Sequence, residues 1–114
     1  MSKSAPEILL AKHLRELKLA FETEVRFHES RRWRWDFALT DHRIAIEIMG
    51  STWSAGRHTR GTGYQADCDK ANQGTMLGWR LLRFTTEDVL NGRAKAFLAE
   101  HLYRGQVPTQ RCIA

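Results

Sequence analysis

The chain has 114 residues, the length of one domain. With 42% apolar and 27% charged residues it has an ordinary globular composition, which excludes collagen, extended disorder and a multidomain assembly. No run approaches the roughly 18 apolar residues of a membrane span, and a formal net charge of +5, carried mostly by arginine, favours nucleic acid as partner.

The first expected element is a helix starting near Ser4, because Ser4-Ala5-Pro6-Glu7 has the S-x-x-E form of a capping box with proline in the first turn. This polar opening does not read as a signal peptide. Leu10, Leu14, Leu17 and Phe21 recur at helical spacing and give one buried face. A short strand follows around Glu24–His28, then a turn at Glu29–Arg32. Trp33, Trp35, Phe37 and Leu39 alternate with Arg34, Asp36 and Ala38, which predicts a strand with both tryptophans on the core face. After a turn at Thr40–Arg43, Ile44, Ile46 and Ile48 alternate with Ala45, Glu47 and Met49 in a second strand ended by Gly50.

A loop rich in Gly, Arg and Thr then runs from Ser51 to about Gly63. The pattern predicts a helix over Tyr64–Leu77 stopped by Gly78, an apolar strand over Trp79–Phe84, and a helix over Glu87–Tyr103 capped by Thr85 or Thr86. The tail from about residue 105 should fray. The whole chain, 1–114, reads as one domain with the order α-β-β-β-α-β-α. Cys68 and Cys112 are too few for a disulfide framework and read as free thiols of a reducing cytosol, with a single bridge as the alternative.

The hairpin carries the chemistry. A two-residue turn at Asp41 and His42 sets Thr40 opposite Arg43, and Asp36 then falls directly opposite Glu47 on one face of the sheet. Like charges so placed destabilise a sheet, and burial makes them worse. A shared proton or a divalent cation would relieve the pair, and two carboxylates completed by water and phosphate oxygens suit Mg²⁺ or Mn²⁺. The bland alternatives are a longer turn that slips the register, or a salt bridge from Arg34 to Glu47. Glu47 sits amid Ile44, Ala45, Ile46, Ile48 and Met49, where charged groups are seldom buried unpaired.

Asp36 and, after ten intervening residues, Glu47-Ile48-Met49 on the next strand resemble the PD-(D/E)XK nuclease superfamily, as does the element order. Arg32–Ala38, Ala45–Gly50, Gly56–Gly61, Asp67–Asn72 and Leu77–Phe84 look most like small phage- and prophage-type endonucleases near the very-short-patch-repair (Vsr-like) branch. The resemblance implies an α/β fold with a restriction-endonuclease-like αβββαβ core, a small mixed sheet flanked by helices, and an extra C-terminal helix. It implies a Mg²⁺- or Mn²⁺-dependent DNA endonuclease of the cytoplasm of a bacterial or phage-infected cell. Asp36 and Glu47 would be metal ligands, joined by the backbone carbonyl of Ile48. The lysine expected two positions after the second acid is Met49 here, so Lys70 on the following helix, or His58 in the loop, would take its role. Glu7 is the candidate for an additional acid from the first helix, although its capping box explains it without catalysis.

Arg31, Arg32 and Arg34, interleaved with aromatics, and Arg57 and Arg60, in the glycine-rich loop, are the candidate phosphate contacts. An Asp67–Lys70 pair on one helix face is the bland reading of Lys70. Arg80 and Arg83 read as solvated strand ends, and Asn72 and Gln73 as either DNA contacts or solvated residues. Zinc lacks a ligand set around His58 and Cys68. Two further expectations stand beside the nuclease: a catalytically degenerate DNA-binding or recombination-accessory module, and a junction- or flap-specific nuclease. The latter would act as a homodimer through the last helix's stripe of Leu90, Ala94, Phe97 and Leu98.

Overall fold

The computed structural model describes residues 4–50 and 62–102. Arg57, His58, Arg60 and Cys112 lie outside the described residues, as does the tail from about residue 105. Helix α1 (Ala5–Glu16) starts with the expected box: the Glu7 N–H donates to Ser4 Oγ, and the Ser4 N–H donates to the Glu7 carboxylate at 2.8 Å. Its Leu10 and Leu14 are fully buried. It ends with Lys18 in the left-handed region, φ +61°, so that the N–H groups of Lys18 and Leu19 return to the carbonyls of Arg15 and Leu14.

Four strands follow: β1 (Glu22–Arg26), β2 (Arg34–Leu39), β3 (Ile44–Met49) and β4 (Arg80–Thr85). They lie side by side in chain order, antiparallel except for the parallel pair β3–β4. The parallel step is made through helix α2 (Thr62–Met76). Gly78, φ +93°, closes α2 by the same device as Lys18 closes α1, with the N–H groups of Gly78 and Trp79 donating to the carbonyls of Thr75 and Gly74.

The single C-terminal helix expected over Glu87–Tyr103 is two helices, α3 (Thr86–Leu90) and α4 (Arg93–Leu102). Thr85 caps α3 in a box with Asp88. Asn91 and Gly92, φ +87°, then break the backbone, and Asn91 Oδ1 accepts from the Arg93 N–H to restart it. The expected apolar stripe divides there: Ala94 and Leu98 are fully buried, whereas Leu90 and Phe97 are exposed. No described helix is long and apolar enough to cross a membrane.

Two cores sandwich the sheet. The larger joins Leu10, Leu14 and Leu17 of α1 and its exit to Phe37, Leu39, Ile44, Ile46 and Phe84, with Val89, Ala94 and Leu98 from α3 and α4. The smaller, on the α2 side, holds Trp35, Ala38, Ala45 and Trp79. Trp35 therefore faces away from Phe37 and Leu39, contrary to the simple alternation. The β1–β2 register is continuous across the reversal, Thr23↔Phe37 on one side and Val25↔Trp35 on the other. The change occurs where Glu24, φ +52°, stands opposite Asp36. One left-handed residue turns the ribbon over without inserting a residue.

The β2–β3 turn falls at Thr40–Arg43 as expected, but Thr40 and Arg43 do not form a further rung of the ladder, so it is longer than the two-residue form. It is four residues long, Thr40–Arg43, with the Arg43 N–H donating to the Thr40 carbonyl at 3.2 Å and Arg43 at φ +54°. Lengthening by one residue on each side preserves the register, and Leu39↔Ile44, Ala38↔Ala45 and Phe37↔Ile46 pair as expected.

Helix α2 approaches the sheet at Gly74, where an added Cβ would stand 2.6 Å from the Trp35 ring. Trp35 is fully buried and stacked on Phe27 at 3.9 Å, so it has no room to yield. Gly74→Ala should therefore destabilise the protein by about 1–3 kcal/mol despite the better helix propensity of alanine. Urea unfolding would measure the loss, and an unchanged midpoint would contradict this account.

Candidate active site

The pairing of β2 with β3 runs only as far as Phe37↔Ile46, after which β2 continues with β1 alone. Beyond that point the Ile48 N–H donates to Asp36 Oδ2 at 2.9 Å, so a side chain takes over where the backbone ladder ends. The same register carries Asp36 to the position opposite Glu47. Glu47 is the sole charged residue in the buried class among the described residues. It is beside Arg83 in the parallel register with β4.

Lys70, midway along α2, donates from Nζ to Glu47 Oε2, and the side chains of this pair are 18% and 11% exposed. Lys70 thus goes to the sheet, not to Asp67, and its Nζ lies 5.2 Å over the Trp35 ring. Arg34 takes the other path as well: it pairs with Glu24 at 3.5 Å and not with Glu47. Of the other candidates, Glu7 stands at the third position of α1, its Oε1 occupied by Ser4. Arg80 donates to the His42 carbonyl, which makes it more than a solvated strand end.

Burial raises both acids. The Asp36 carboxyl is lifted by desolvation above all, against the Ile48 N–H, which holds it down; Glu7 and Glu24 raise it by repulsion and Lys70 lowers it. The Glu47 carboxyl is likewise raised by burial, with Lys70 pulling it down by hydrogen bond and charge, Asp36 raising it and Arg83 lowering it. Each acid has one oxygen committed within the protein. Oδ1 of Asp36 and Oε1 of Glu47 are those it can offer to a cation.

Among the described residues no three His, Cys, Asp or Glu side chains gather as a complete metal cage. A hard cation such as Mg²⁺ does not require one, since it commonly takes one or two carboxylates and completes its shell with water and phosphate oxygens. The hard-oxygen donors and the repulsion felt by both acids fit that chemistry.

A second polar cluster adjoins the first. The turn between β1 and β2 and the start of β2 bring His28, Ser30, Arg31 and Trp33 against Asp69, Asn72 and Gln73 of α2, enclosing a cleft of about 480 Å³. The Arg31 guanidinium lies 4.0 Å over the Trp33 ring. Arg32 and Arg34 are exposed outside it. His28 had no sequence signal of its own, and Trp33 was expected in the core. The spacing of Asp69, Asn72 and Gln73, which puts them on one helix face, was the available clue.

With their folded pKa values raised, the two acids' contribution to metal-free stability is greatest when they are protonated and is lost as pH rises through the folded values. Asn at position 36 keeps an acceptor for the Ile48 N–H but carries no charge. In chelator, Asp36→Asn should unfold at higher urea than the wild type at pH 7.5, and the gap should close near pH 4. A pH-independent difference would refute the electrostatic origin.

No family model matches the chain, and no curated protein matches it. Among solved structures, the chain is similar in fold to the homing endonuclease I-Bth0305I catalytic domain, with a TM-score of 0.63 and 20% sequence identity over 86% of this chain and 93% of that one. The fold is α/β, a four-stranded mixed sheet flanked by helices and consistent with a restriction-endonuclease-like core.

Proposed function

We propose that this chain is a divalent-cation-dependent endonuclease that hydrolyses phosphodiester bonds in DNA. The observation that carries the reading is the buried Glu47–Lys70 ion pair set across the hairpin from Asp36. That constellation joins two acids on adjacent strands to an ammonium from the following helix. The basic composition and the fold likeness to a homing endonuclease catalytic domain support it.

Asp36 and Glu47 would hold Mg²⁺ or Mn²⁺, with the Ile48 carbonyl as a third oxygen donor and Glu7 as an outlying acid. When bound, the cation supplies a Lewis acid that polarises the scissile phosphoryl group and offsets its developing charge. The Ile48 N–H fixes the Asp36 carboxylate at the end of the ladder. Lys70 has three N–H donors, of which Glu47 takes one, leaving two for a phosphoryl oxygen or the attacking water. It thereby assumes the role that Met49 cannot fill. We assign Arg31, Arg32 and Arg34 to the DNA backbone, with Arg57, Arg60 and His58 of the segment that precedes α2 in sequence.

The test is cleavage of single-stranded, duplex, mismatched, flap and four-way-junction DNA in Mg²⁺, Mn²⁺ or EDTA. Cutting should require metal. Glu47→Gln, Asp36→Asn and Lys70→Ala should each lower it by roughly 10²–10³-fold. Met49 is two residues beyond Glu47 and so on its face of β3, and Met49→Lys should restore part of the activity lost in Lys70→Ala. DNA bound but never cut with either metal would replace this reading with a non-catalytic DNA-binding module. Unimpaired cutting by Glu47→Gln would remove the carboxylates from the mechanism.

A further inference from the structure

We infer that the cleft between the β1–β2 turn and α2 is a binding site for one unpaired nucleotide of the DNA substrate, its base seated on Trp33. The inference rests on the nuclease reading for the identity of the nucleic acid, but not on any cutting step. Its volume of about 480 Å³ falls in the range of ligand pockets, roughly 300–1,000 Å³.

The walls have a polarity that orients the occupant. Arg31 is the cation at the open, turn side, and Asp69 is the half-buried anion on the α2 side. A phosphate is drawn to the first and repelled by the second, so the base enters toward the helix. There Asp69 offers acceptor oxygens, with Oδ1 already oriented by Gln65 Nε2 at 3.0 Å. The exposed amides of Asn72 and Gln73 offer both donors and acceptors to a base edge.

Trp33 supplies the platform. It is half-buried, stacked toward Phe27 at 6.1 Å and 14°, met edge-on by His28 at 5.3 Å, and overlain by the exposed Arg31 guanidinium at 4.0 Å. An exposed cation–π contact is weaker than the stacking of a base on an aromatic ring. A base can therefore take the place of the guanidinium, which is then free to meet the phosphate of the same nucleotide.

The turn is already set for this. His28 Nδ1 accepts the N–H groups of Ser30 and Arg31 at 3.2 and 3.0 Å, and Arg26 Nε donates to the Arg31 carbonyl at 3.2 Å. With Nδ1 an acceptor, the neutral His28 ring carries its proton on Nε2 and keeps a donor to spare. A base within a continuous duplex cannot present its π-face sideways into such a cleft, whereas an extruded one can.

The experiment is fluorescence-anisotropy binding in EDTA, where no strand is cut. Its probes are a perfect duplex, the same duplex with a single-nucleotide bulge, and one whose bulge is abasic. The bulged duplex should bind about tenfold tighter than the other two. Trp33→Ala should erase that preference while leaving perfect-duplex affinity within about twofold, and Trp33→Phe should retain most of it. Asn72→Ala with Gln73→Ala, both exposed and safe for folding, should reduce it. Equal binding of bulged and abasic bulged DNA, a preference that survives Trp33→Ala, or no binding of any probe would each overturn the inference. Loss of cutting in Glu47→Gln with the bulge preference intact leaves the cleft standing. Metal-independent failure to cut with that preference intact removes only the nuclease reading.

Discussion

The architecture depends on holding two carboxyls across one hairpin, Glu47 buried and Asp36 half-buried. Desolvation opposes the ionisation of both acids, joined by repulsion from Asp36 on Glu47 and from Glu7 and Glu24 on Asp36, and the structure offsets this chiefly with the Lys70 ammonium and the Ile48 N–H. A buried ion pair of this kind rarely adds net stability, and deleting one partner typically costs about 3–5 kcal/mol because a charge is left stranded. The arrangement makes the placement of α2, which brings Lys70, a condition of the Glu47 pairing.

The placement of α2 is accordingly over-determined. Gly74 lets its backbone meet Trp35, Gly78 closes its last turn, and the Leu77 carbonyl accepts from Arg43, whose guanidinium also covers Trp79 at 4.2 Å. Trp35 stacks on Phe27 and meets Trp79 edge-on, so a column of aromatic rings runs beneath the helix, with Lys70 over Trp35 and Arg31 over Trp33 at the cleft. The two polar clusters are thus anchored to one rigid body.

Much of this was legible in sequence because it follows from short periods. Alternation in Ile44–Met49 fixes which face Glu47 takes, and Ser4 with Glu7, or Gly78, fixes a helix end within a few residues. What could not be read came from single backbone choices with distant effects. The left-handed Glu24 sends Trp35 to the face opposite Phe37, and nothing local in Glu22–Arg26 announces it, since glutamate seldom adopts that conformation. The break at Asn91-Gly92 did have a local signal, overridden by the longer apolar pattern on either side. The partner of Lys70 was legible only through resemblance, because a contact across 23 residues leaves no mark in spacing.

The four-residue turn at Thr40–Arg43 has a consequence for the two acids. Opening the loop by one residue on each strand leaves Asp36 opposite Glu47, so the ladder can fray at its tip without disturbing them. A slip of one strand past the other by a single residue would instead set Asp36 against Ile46 or Ile48, pairing a residue of one face with a residue of the other. The register, more than the identity of Asp41 or His42, is therefore what the hairpin has to hold.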